Sequence, residues 1–128
     1  AGVIDDQTKL FDNLPEQDKF LESMADAASS VVNYFKGNIV YINVMKNISV
    51  DCDCDAHASA PCMKDMGILA STDPVAIDQA CLDFVYQSND QGKDKLIERI
   101  ESRHGVHTIE AANELGVGSR EYELIEIQ

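Results

Sequence analysis

The stretch Met66-Gly67-Ile68-Leu69-Ala70-Ser71-Thr72-Asp73-Pro74-Val75-Ala76-Ile77-Asp78-Gln79-Ala80-Cys81 decides the fold. Met66 to Ala70 is short and apolar, as a strand requires. Ser71-Thr72-Asp73-Pro74 then reads as a helix start. Asp73 can accept from the first free backbone N–H groups, and Pro74 loses nothing at the first helical position. The helix it opens offers Val75, Ile77, Cys81, Phe84 and Val85 to a core. Moving towards the N-terminus, Asn38 to Met45 is β-branched and apolar on both faces, which predicts an interior strand. Before it, Phe20, Met24, Ala27, Ala28, Val31 and Phe35 keep the 3-and-4 spacing of an amphipathic helix, with Pro15 as its first residue and Gly37 as its stop. Towards the C-terminus, Lys93 to His104 predicts a helix with Leu96, Ile97 and Ile100 inward. Thr108 caps a short helix through Leu115 that Gly116 ends, and Tyr122 to Ile127 reads as a closing strand.

The sum is an α+β domain over residues 16–128: four helices on a small mixed sheet of three strands, with one long Cys/Asp-rich loop. Residues 1–15 read as an arm or a cut end. Three strands apolar on both faces are few for a complete sheet. Further strands are therefore expected from a longer protein, or from a partner subunit in a homo-oligomer.

Composition narrows the function. Of 128 residues, 10 are Lys or Arg and 23 are Asp or Glu, a formal charge of −13. Such a chain repels phosphate backbones and anionic lipid, so nucleic acid and membrane surfaces are not expected partners. No apolar run approaches the ~20 residues of a membrane helix. Ala1 to Asp6 lacks the basic-then-apolar pattern of a signal peptide, and the missing initiator Met fits a processed or excised segment. Three of the four cysteines crowd into Cys52–Cys62, and a bridge across a Cys-x-Cys pair is strained. A reducing cytoplasm and metal chemistry fit these cysteines better than disulfides do.

That crowding falls in Lys46–Lys64, a segment without period and about as long as structureless loops become. Cys52, Cys54, His57 and Cys62 give the spacing C-x-C-x2-H-x4-C. Thiolates and a neutral imidazole are what Zn²⁺ or an iron–sulfur cluster prefers. Asp51, Asp53 and Asp55 could accept hydrogen bonds from the ligands or offer oxygen to a harder ion. A polar surface loop with incidental cysteines is the bland alternative.

Other residues carry weaker signals. Cys81, on the apolar face of its helix, reads as a small hydrophobe. His104 suits a helix C-terminus, and His107 reads as a linker residue. Asp73 is a cap by position, whereas Asp78, a turn later, could point back at the loop as a general base. Gly116-Val117-Gly118-Ser119 follows a helix rather than a strand and has Glu121 where a third glycine would stand, so it is not a nucleotide fingerprint.

Two stretches carry a resemblance. Asn43-Val44-Met45-Lys46-Asn47-Ile48-Ser49-Val50-Asp51-Cys52-Asp53-Cys54 and Met66 to Ala80 resemble the DUF362 family, whose members are often labelled iron–sulfur centre proteins. Leu115 to Ile127 is similar to the end of those proteins, so the resemblance runs from Phe20 to the C-terminus. It implies the C-terminal portion of a longer protein, in which many members carry an upstream ferredoxin-like segment that this chain lacks. In the family pattern Cys52 and Cys54 belong, while His57 and Cys62 are particular to this sequence. The resulting expectation is a metal-binding domain with Cys52, Cys54, His57 and Cys62 as ligands, serving structure or electron transfer with a redox partner. The alternatives are a metal-dependent enzyme using Asp53 or Asp78 as base, and a purely structural scaffold.

Overall fold

The computed structural model describes residues 15–51 and 57–127. Four helices and two strands follow in the order α1 (Gln17–Phe35), β1 (Tyr41–Met45), β2 (Gly67–Ser71), α2 (Pro74–Gln87), α3 (Lys93–Ser102) and α4 (His107–Glu114). The class is α+β, as the patterning predicts.

β1 and β2 pair antiparallel, with Asn43 opposite Leu69 and Val44 opposite Ile68. On the inner face Met45 and Leu69 are buried and join Met63, Ile77, Ala80 and Val85 in the core. Phe84, Leu96, Ile97 and Ile100 close over it, so the core lies between the sheet, α2 and α3. Asp73 caps α2 as expected, its Oδ1 accepting from the N–H groups of Val75 (2.9 Å) and Ala76 (3.0 Å). α4 packs on α2, and α1 packs on α4 alone among the elements.

Several expectations require correction. The sheet among the described residues has two antiparallel strands rather than three mixed ones. Residues 121–127 form no regular element and pair with no strand among the described residues. Apolar residues there alternate as in a strand, but a strand also needs an edge to bond to, and this segment meets none among the described residues. β1 is not an interior strand either. Val40, Ile42 and Val44 face out, and Ile68 beside them is 71% exposed.

α1 is present, but the stripe Phe20, Met24, Val31 and Phe35 faces solvent while Leu21 and Ala25 are buried. α1 packs on α4, whose Ala111 is also buried, and the larger stripe stays outside. Thr108 is not a cap. α4 begins one residue earlier, out of a turn in which the His107 N–H donates to the His104 carbonyl (2.9 Å), so backbone replaces side chain at that terminus. Pro15 precedes the helix rather than opening it, with Glu16 in the capping position.

Candidate functional site

The loop between the strands is pinned at its base. The Ile48 carbonyl accepts from the N–H groups of Cys62 (2.8 Å) and Met63 (3.4 Å), extending the antiparallel approach of the two limbs beyond the sheet. One step further out, Ser49 Oγ donates to the Ser59 carbonyl (2.9 Å). Ser59 in turn donates twice to Asp51 Oδ2, from its N–H (3.0 Å) and its hydroxyl (2.5 Å). Asp51 Oδ1 faces the Arg99 guanidinium at 3.2 Å, which fastens the neck to α3.

The Ser59 hydroxyl and amide, followed by Arg99, hold the Asp51 carboxyl below its usual range. The tie is therefore complete above the ordinary carboxylate range and is lost as pH falls through the lowered value. Both Asp51 oxygens are committed, which makes this residue the clasp of the loop rather than a spare oxygen ligand.

The returning limb is held from the other side. Asp90, in the α2–α3 turn, accepts from the Lys64 N–H (3.0 Å) and the Gly92 N–H (2.9 Å). The backbone approaches so closely here that a Cβ on Gly92 would overlap the Cys62 carbonyl oxygen. Cys62 itself is half-buried, packs against the core and forms no disulfide. His57 is exposed. Cys52, Cys54, Asp53 and Asp55 lie outside the described residues. Among the described residues alone, no group of three or more His, Cys, Asp or Glu side chains could hold a metal ion.

The expected base, Asp78, lies on α2 and turns to β1 rather than to the loop. Its Oδ1 accepts from Asn43 Nδ2 (2.8 Å), which also reaches Cys81 Sγ (3.4 Å). Burial, and then the Asp78 charge, push the Cys81 thiol up, while Asn43 pulls the other way. An upward-shifted thiol is a poor nucleophile, in keeping with the core reading of Cys81.

Further along α2, Asp83 accepts from Gln79 Nε2 (2.9 Å) and the Tyr122 hydroxyl (2.7 Å), and Arg120 Nε donates to Gln79 Oε1 (2.8 Å). The bond to Asp83 is the main reason the Tyr122 phenol is pushed up to about 12. This polar chain seats the start of the tail on α2. None of Ser59, Asp90, Arg99 or Gly92 stands out in the sequence as part of the loop's support, because each is defined by a contact distant along the chain.

A family model described as a domain of unknown function, DUF362, matches residues 1–83. The chain belongs to the DUF362 family. The match includes β1, the Cys-bearing loop, β2 and the first turns of α2, takes in residues upstream of Phe20, and does not reach Leu115–Ile127. No curated protein and no solved structure matches the chain. No helix among the described residues is long and apolar enough to cross a membrane.

Proposed function

We propose that this DUF362 chain is a metal-binding domain of an iron–sulfur-associated protein, with Cys52, Cys54, His57 and Cys62 as the ligand set. The observation that supports the reading is the pinned neck. Asp51 and Ser59 close the chain on either side of Cys52, Cys54 and His57, and Ile48 fixes the backbone of Cys62 just outside. A loop closed before metal arrives surrenders less chain entropy on binding than an open one. The donor set fits zinc or an iron–sulfur cluster, since thiolate and imidazole are the groups both use.

When bound, a zinc would supply a structural cross-link and a cluster would supply one-electron chemistry. The remaining roles belong to the chain's own groups. Arg99 places a positive charge at the neck of a loop that must deprotonate thiols to bind. Asp90 and Gly92 hold the limb that carries Cys62 against the α2–α3 turn. The charge of −13 would favour docking to a basic redox partner or an upstream ferredoxin-like segment, and a reducing cytoplasm is the compartment this chemistry suits.

Elemental analysis of protein purified without oxygen, chelator or nickel resin tests the proposal. About one zinc per chain supports a closed structural site, and several irons with matching acid-labile sulfide support the redox form. In either case Cys52→Ser should lower metal content and thermal stability together, because binding energy is folding energy in such sites. Metal-free protein, or metal that survives Cys52→Ser and Cys62→Ser unchanged, overturns the reading.

A further inference from the structure

α1 is attached to the rest of the molecule unlike any other helix. Among the described residues it packs only on α4 and contributes only Leu21 and Ala25 to the buried surface. Its polar ties to other elements, among the described residues, all leave its first two turns and all reach the joint between α3 and α4. Gln17 Nε2 donates to the Arg103 carbonyl (2.9 Å), Asp18 Oδ1 meets His104 Nδ1 (2.7 Å), and Glu22 Oε1 meets His107 Nε2 (3.1 Å). Two imidazole–carboxylate contacts thus carry most of the directional attachment of a 19-residue helix.

The surroundings make the His107 contact sensitive to protonation. His107 faces Glu22 and Asp18 from α1 and Glu110 from its own helix, with Nδ1 at 3.7 Å from Glu110 Oε2. Glu110 is shared with Arg120 of the tail (3.1 Å), and His104, Glu101 and Glu110 line the same cleft of about 340 Å³ with Asp18 and His107. His107 is therefore faced by three carboxylates, of which Glu110 alone is shared with Arg120. The pairing with Glu22 is the leading reason His107 holds its proton above the usual histidine value. His104 is set in the turn with φ +52°, a left-handed conformation rare for residues other than glycine, and its ring meets Asp18 across the joint.

We propose that His107, paired with Glu22 beside the Asp18–His104 contact, is a pH-sensitive latch that docks α1 on α4. With the His107 imidazole protonated, Glu22 is neutralised and the helix is held. With it neutral, the contact loses its charge while the carboxylates around it remain. Since His107 is raised in the folded state, its contribution is complete below the ordinary histidine value and is lost as pH rises through the raised one. Undocking would uncover Leu21, Ala25 and Ala111 without disturbing the core between the sheet, α2 and α3.

Hydrogen exchange of the full chain, corrected for the intrinsic pH dependence of exchange, tests the latch. Between about pH 6 and about pH 8.5, the protection of α1 amides should fall about fivefold while that of α2 amides between Val75 and Val85 stays constant. In His104→Gln/His107→Gln, α1 should show the lower protection at both pH values. Glu22→Gln, which leaves both histidines in place, should retain only part of the pH dependence. Protection of α1 that is level across this range, or a pH dependence that persists in the double variant, overturns the proposal. So does α2 losing protection in parallel with α1, which would mean global destabilisation.

Discussion

Asp73 places one carboxylate oxygen on the N–H groups of Val75 and Ala76 and the other on the N–H of Ser119 at 2.8 Å. The first pair caps α2, and the last bond ties the segment after α4 to the same helix start. Gly118 owes its identity to this arrangement, because a Cβ there would overlap the Asp73 carboxylate. Gly116, two residues earlier, serves a different need: with φ +72° it occupies the left-handed region that ends α4. Asp73→Asn should preserve the cap through its remaining oxygen and lose the tie to Ser119. Asp73→Ala should lose both and cost about 1–2 kcal/mol through the cap alone. Gly118→Ala should cost about 1–3 kcal/mol by overpacking, and less in an Asp73→Ser background, where the shorter side chain leaves room. Urea midpoints of the four single variants, Asp73→Ser included, and of the Gly118→Ala/Asp73→Ser double variant measure this. Additive losses for Gly118→Ala and Asp73→Ser would show that the two positions do not compete for the same space.

At the scale of elements, what the sequence reveals follows from how local each element's causes are. α2 is legible because its cap, its first proline and its buried stripe all lie within a few turns. α3 is legible for the same reason, its Leu96, Ile97 and Ile100 packing on the core as the spacing implies. α1 is legible as a helix but not in its orientation. Its sequence holds two stripes one residue apart, and the choice between Phe20-Met24 and Leu21-Ala25 is made by α4. The strand expected at Tyr122–Ile127 fails because alternation records a tendency whereas pairing requires a partner edge. In the candidate site the four candidate ligands are visible as residue types, while the clasp from Asp51 to Ser59 and Arg99 is not. If α1 is held as described, Leu21→Ala should cost about 2–3 kcal/mol in denaturant unfolding. Val31→Thr and Phe35→Gln, on the exposed stripe, should each stay within about 0.5 kcal/mol. A larger loss from the exposed pair would place the packed face of α1 on the other side.

For the molecule as a whole, two properties oppose one another. The outer face of the sheet carries Val40, Ile42, Val44 and Ile68, all more than half exposed, and the tail adds Leu124, Ile125 and Ile127, which are also open to water. Adjacent exposed apolar side chains favour association. The charge of −13 resists it, since two copies approaching each other bring like fields together. If the sheet face is where two copies meet, salt should govern the extent of association. Around 0.5 M NaCl the screening length falls to roughly 4 Å, so the repulsion weakens while the apolar attraction does not. Sedimentation velocity over a concentration series should show the average mass rising with protein and, at fixed protein, rising further with salt. Ile42→Thr/Val44→Thr/Ile68→Thr should remain monomeric under both conditions, with α2 and the inner core unaffected because none of the three faces inward. A triple variant that associates as readily as the parent would remove the sheet from the interface, and a parent chain that stays monomeric in high salt would remove the interface itself.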